Sequence, residues 1–212
     1  MKDKKQIIIT TLFCLLPSAA GFLLWNRLPE QVPVHYGFDG QPDGYSSRIT
    51  AVLMLPVLMA AVNLFVHFML SLDPSSRDGG NERIIRAAGW LVPLISLFSE
   101  LMILLPSLGV NVSPSSVLSA EAGTIFALAG RYLPDTAVSR TVGFRLPWTL
   151  NSAENWKRTH ILAGKIWTLA GLFLLIAALT DHNVSALTVS AVIFAAAAVP
   201  SLYSYYLYRK GC

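Results

Sequence analysis

Six apolar runs, at about residues 6–25, 51–70, 87–106, 113–128, 161–180 and 186–206, leave few folds open to this chain. A hydrocarbon core about 30 Å thick takes roughly 20 helical residues to cross, and most of the runs approach that length. Lipid offers the backbone no partners, so a crossing segment must satisfy its N–H and C=O groups internally, as a helix does. Charged residues lie almost entirely between the runs. With 212 residues, 54% of them hydrophobic and 13% charged, the chain is too apolar for an ordinary water-soluble domain. The expected fold class is all-α: a polytopic membrane bundle of six helices forming one domain over 1–212.

The run at 113–128 is the weakest, being short and interrupted by Glu121, and loop charge decides whether it crosses. With six spans and a cytoplasmic amino terminus, the inner side receives Lys2, Lys4, Lys5, Arg77, Arg83, Arg86, Arg131, Arg140, Arg145, Lys157, Arg158, Lys165, Arg209 and Lys210, leaving only Arg27 and Arg48 of the 16 basic residues outside. Were the run not to cross, everything from Arg131 to Lys165 and the carboxyl terminus would change sides. The excess of basic residues on cytoplasmic loops selects six spans, with both termini inside. Trp25 then closes the first span at its outer end, while Trp90 and the tyrosines 203, 205, 206 and 208 fall near inner ends, where amphipathic rings settle. The first run follows MKDKK and contains Ser18-Ala19-Ala20-Gly21, so a cleaved signal peptide competes with a retained span; continuation of the run to Trp25 favours retention. Pro17, Pro56, Pro93 and Pro200 fall within spans as sites of irregular packing or kinking. Ala195 to Ala198 and Ala170-Gly171 allow close helix approach. Cys14 and Cys212 imply no disulfide framework. The net charge of +4 is spread over loops without a basic stripe, which argues against direct nucleic-acid contact.

Two connecting segments are more than linkers. The first, 27–48, reads as an extracellular cap: Val32, Val34 and Tyr36 alternate as in a short strand, and Gly37, Gly40 and Asp43-Gly44 supply turns. His35, Asp39 and Asp43 could converge on a metal, giving a metal-dependent membrane enzyme as one alternative, although aspartate beside glycine is first of all turn chemistry. The second, 130–160, is cytoplasmic. Asn151 followed by Glu154 marks a helix start, so residues from Ser152 onward run as a helix into the fifth span. Trp148 and Trp156, beside Arg145, Lys157 and Arg158, suit the headgroup region, either as a membrane-surface anchor or as a docking site for a cytosolic protein.

Glu100 and Glu121 are carboxyls inside spans, and intramembrane ionisable groups are functional candidates by default. They are equidistant from the turn near Gly109 to Pro114, hence at similar depth on antiparallel neighbours. The pair supports a second alternative, a proton- or cation-coupled transporter. Asn63 is deep enough to bond across the bundle; His67 and Lys165 read as interfacial groups. No nucleophile elbow, zinc-helix motif or phosphate-binding loop occurs, so neither catalysis nor a cofactor nor a metal is expected.

The segment PEQVPVHYGFDGQPDGYSSR resembles the amino-terminal motif of the SdpI-like bacterial membrane proteins, and VGFRLPWTLNSAENWKRTHILAG resembles their second signature. The resemblance, which extends to length and number of spans, implies a multi-pass protein of the bacterial cytoplasmic membrane. It implies immunity to a secreted antimicrobial peptide toxin, and signalling through a cytosolic transcriptional repressor held at the membrane. The residues it carries over are Pro33, His35, Gly40, Asp43 and Tyr45 outside, and Gly143, Arg145, Pro147, Trp148, Thr149 and Trp156 inside.

Overall fold

The structure, a computed structural model, describes residues 4–73, 81–180 and 184–212; Lys2 and Arg77 of the charge argument lie outside the described residues. Helix α1 (Lys4–Leu23) leads through a short 3-10 turn into an antiparallel hairpin, β1 (Gln31–Tyr36) and β2 (Pro42–Ser47). A π turn at Thr50–Met54 opens α2 (Leu55–Ser71). Then come α3 (Glu82–Ala88), α4 (Leu91–Ser107), α5 (Pro114–Tyr132), the short α6 (Pro147–Leu150), α7 (Ala153–Leu179) and α8 (Ala186–Arg209). Among the described residues, five helical segments are long and apolar enough to cross a membrane: Lys4–Leu23, Thr50–Ser71, Glu82–Ser107, Ala153–Leu179 and Ala186–Arg209. The chain is thus a multi-pass, all-α membrane bundle with one small hairpin added. Large apolar side chains such as Leu12, Phe65, Phe173 and Phe194 face outward, as a surface solvated by lipid requires.

Helix α5 is 19 residues long but carries Ser115, Ser116, Ser119, Glu121 and Arg131, which lowers its apolarity below that of the other five. It is held by a different device. Gly123 and Gly130 on α5 and Gly164 and Gly171 on α7 are each spaced by seven residues, two turns, so each pair lies on one helix face. A methyl group at Gly171 would come within 2.5 Å of the Ala127 nitrogen, and one at Gly130 within 2.6 Å of the Thr168 nitrogen. The two helices therefore pack backbone on backbone, the arrangement small residues permit when lipid supplies no hydrophobic drive. Helix α8 completes this triad around Phe126, Leu174, Val189 and Ala196, and the Trp167 indole N–H donates to the Ala196 carbonyl at 2.9 Å.

Helices α1, α2 and α4 form the other triad, joined to the first along α4 and α5. Its contacts are also close: Gly21 lies against Val52, and Gly89 against Gln6 and His67. Pro56 has no N–H to give the Val52 carbonyl, which instead accepts from the Ser18 hydroxyl at 2.8 Å. The third apolar run is broken near Gly89 and Trp90, dividing it into α3 and α4. Pro93 consequently sits in the first turn of α4, where proline is tolerated; Pro56 falls where the π turn passes into α2, and Pro17 and Pro200 lie inside α1 and α8.

Candidate functional site

The hairpin realises the expected strand and the turn region at Gly37 and Gly40, whereas Asp43-Gly44, expected as a further turn, lies within β2, where Gly44 pairs with His35. Gly40, at φ +77°, closes the tip, where the Gly37 N–H donates to the Gln41 carbonyl at 2.9 Å. Asp39 Oδ1 accepts the Gln41 N–H at 3.0 Å, the side-chain turn that short aspartates favour. His35 Nδ1 and Asp43 Oδ1 meet at 2.5 Å on the exposed side of the hairpin. Asp39 does not join them, and no group of three histidine, cysteine or acidic side chains able to hold a metal occurs among the described residues. Tyr45 pairs with Pro33 across the strands and is largely exposed.

Beneath the hairpin tip lies a cavity of about 900 Å³. Its walls are the tip, the end of α4, the 109–115 turn and the start of α8. Tyr36, Phe38, Val110, Val112 and Leu118 give it aromatic and aliphatic walls beside polar ones such as Gln41, Asn111 and Ser113, and Asp39 is the charged side chain among its described lining residues. Phe38 is 82% exposed. Tyr36 anchors the hairpin over the cavity through a long hydrogen bond from its hydroxyl to the Met102 carbonyl, 3.4 Å. Burial, and secondarily the neighbouring Tyr45, raises the Tyr36 phenol above its ordinary pKa, so it remains a donor at neutral pH. Pro33, Asp39 and Gly40 of the sequence-derived outer set line this cavity; His35, Asp43 and Tyr45 do not. In the sequence the turn near Gly109 to Pro114 is legible only as a link between spans and Phe38 carries no signal of its own, because a short helix connection and a lone exposed ring form no motif.

At the opposite end, the second signature folds into a knot. Thr149 accepts the Leu146 N–H at 2.9 Å and donates to the Phe144 carbonyl at 2.6 Å, fixing the turn into α6 behind Pro147. Gly143 has φ +102°, and a β-carbon there would strike His160 Nε2 and the Trp156 ring. His160 is fully buried: its Nδ1–H donates to the Trp156 carbonyl at 2.7 Å, and Nε2 accepts the Phe144 N–H at 2.9 Å. Those two bonds set the neutral tautomer. Trp156 stacks on that ring at 4.0 Å and donates from its indole to the Thr136 carbonyl at 2.8 Å. It is only 1% exposed, so the expected headgroup position is corrected: the ring is part of the core. Trp148 is half-buried, stacks on Tyr208, and donates to the Ser204 hydroxyl at 2.8 Å. Asn155 then accepts from Ser204 at 2.7 Å, tying α6, α7 and α8 together. Arg145 is exposed and donates to the Arg140 carbonyl at 2.9 Å. Ser152, not Asn151, caps α7, accepting the Asn155 N–H at 3.2 Å.

The knot extends to the connection after α2. Asp73 accepts from the hydroxyls of Ser139 and Thr141, and the Asn81 amide pairs with both backbone groups of Ala137, at 3.0 and 2.8 Å. No local signal marks His160, Asp73 or Asn81, which sit at segment edges where polar residues normally meet water.

Of the intramembrane groups, Asn63 bonds across the bundle as expected, donating to Thr10 and Thr11 at 3.0 Å each. Glu100 is buried and neither of its oxygens has a hydrogen-bond partner among the described residues. The structure thus does not join it to Glu121, which is half-buried on α5.

Two family matches fall on the two segments. Residues 12–60, from the middle of α1 through the hairpin to the start of α2, match a domain of unknown function (DUF1648). Residues 137–204, from the knot into α8, match the SdpI/YfhL protein family. No curated protein and no solved structure matches the chain.

Proposed function

Because this chain is an SdpI-like membrane protein, we propose that it is an immunity protein and receptor of the bacterial cytoplasmic membrane, binding a secreted antimicrobial peptide toxin in the cavity beneath the hairpin. The observation that carries this reading is the cavity itself. It combines aromatic and aliphatic walls with an acidic turn, at the end of an apolar bundle, where an amphipathic cationic peptide entering lipid would arrive. Capture need only compete with the toxin's own insertion, so the protein acts by binding rather than by catalysis. In this reading α5 is a sixth crossing, the hairpin is extracellular and both termini are cytoplasmic, the sidedness that basic loop residues favour. The knot then presents its surface to the cytosol. A groove of about 530 Å³ beside Trp148, Asn151 and Tyr208, near exposed Arg145, is where a repressor would dock.

Expression in a toxin-sensitive strain tests the proposal, with the peptide encoded at the same locus as the challenge. The expected result is survival with the parent protein and loss of protection with Phe38→Asp combined with Asp39→Lys, at equal protein levels. Killing as rapid with the parent protein as without it overturns the reading.

A further inference from the structure

The cavity and the knot leave one internal cluster without a role. Along the centre of the α1, α2 and α4 triad, polar groups recur turn after turn. Gln6 donates to the Arg86 carbonyl at 2.7 Å. One turn further on, Thr10 and His67 Nε2 share a hydrogen bond of 2.9 Å, and Asn63 donates to the Thr10 hydroxyl at 3.0 Å. After another turn Ser96 donates to the Cys14 carbonyl at 3.0 Å. Thr10, Asn63 and Ser96 are 0% exposed and Glu100 is 1% exposed.

Glu100 stands one turn beyond Ser96 and one turn before Leu104, which packs with Val52. Residues three and four apart share a helix face, so its carboxyl enters the seam between α1 and α2, at the depth of Pro17 and Ser18. Asn63 Oδ1 and both Glu100 oxygens have no hydrogen-bond partner among the described residues. A carboxyl kept for structure would be satisfied by its neighbours, because an unpaired buried polar group is costly. Here Thr10 is bonded to both His67 and Asn63, and Ser96, the next polar group toward the acid, donates to the Cys14 carbonyl, so a polar seam approaches the acid without satisfying it.

We propose that Glu100 is an intramembrane proton-binding site loaded from the His67 end through Thr10, Asn63 and Ser96. The step moves one proton from water at the His67 end to the carboxylate: an O–H bond of hydronium breaks, an O–H bond forms on Glu100, and neutral water is left behind. Carboxyl and imidazole groups are the usual proton carriers at membrane depth; the hydroxyls and the amide here line the route from the His67 imidazole rather than carry the proton themselves. Besides basic side chains, the ionisable groups on the surrounding elements are Cys14 on α1, His67 on α2, Glu121 and Tyr132 on α5, and His35 and Tyr36 on β1. Basic side chains on these elements occur only at the ends, Lys4 and Lys5 on α1 and Arg131 on α5, so among the described residues none of them pairs with the Glu100 carboxyl. The inference is independent of toxin binding, and either can fail without the other.

Infrared difference spectra of the full-length protein in liposomes, recorded after pH steps applied from the His67 side, test it. A protonated-carboxyl band should titrate in the parent protein and in Glu121→Gln, and be lost in Glu100→Gln. Asn63→Leu, or Thr10→Val if that variant does not fold, should slow the response about tenfold. Should Glu100→Gln itself not fold, Glu100→Asp should shift the band. A titrating band that survives Glu100→Gln, one unshifted in Glu100→Asp, no titrating band in the parent, or no slowing along the seam overturns the proposal.

Discussion

Gly171→Leu is expected to be the most destabilising single substitution in the bundle. The position has backbone atoms of α5 on two sides, with a β-carbon only 2.5 Å from the Ala127 nitrogen and 2.8 Å from the Gly123 carbonyl oxygen. Backbone cannot step aside as a side chain can, so α5 and α7 would have to separate along their shared face. The separation would also loosen Trp167, which stacks edge-on against Phe126 at 4.7 Å. Overpacking a tight site costs about 1–3 kcal/mol; a leucine on backbone sits at or above the upper end, and Gly171→Ala should fall between it and the parent. Leu172→Ala, on the outward face, should change little. Heating each variant in mild detergent and following the monodisperse peak gives the order. Equal midpoints for Gly171→Leu and the parent would mean the helices do not meet there.

Gly143→Ala is expected to be the second most damaging small substitution, and the chain contains its own control. Gly109 and Gly143 both have positive φ, +78° and +102°, so alanine strains the backbone at either, by about 1–2 kcal/mol. At Gly109 nothing lies within 4 Å of the new β-carbon, whereas at Gly143 it meets His160 and Trp156. The extra damage at Gly143 measures the ring packing of the knot, and should bring the total to about 3 kcal/mol or more. Near-ultraviolet circular dichroism should show the Trp156 environment lost in Gly143→Ala and kept in Gly109→Ala. Identical spectra and midpoints would place the knot's rings elsewhere.

What the sequence made legible follows from which forces act locally. Apolar length and turn chemistry are local, so the helical segments, the strand over Val32 to Tyr36 and the Asp39 turn could all be read from residues within a few positions. The packing of α5 on α7 could not. Gly123, Gly130, Gly164 and Gly171 show their meaning only when two segments forty residues apart are laid side by side; alone, each reads as a small residue in a greasy run. Burial at segment edges was equally hidden. His160 and Trp156 sit where a loop joins a span, and it is the fold of residues 136–146 over them that withdraws both from the interface. The outer site was half legible, since the hairpin is written in its own turns while the 109–115 wall comes from a different part of the chain.

The central claim is that peptide toxin occupies the cavity under the hairpin. Photocrosslinking in intact cells tests it most directly, with a photoreactive residue placed at Phe38, at Val110 or at Trp148, and the peptide added from outside. The account predicts covalent adducts at positions 38 and 110, competed away by unlabelled peptide, and none at position 148. Adducts at 148 with none at 38 or 110 would contradict both the site and the sidedness.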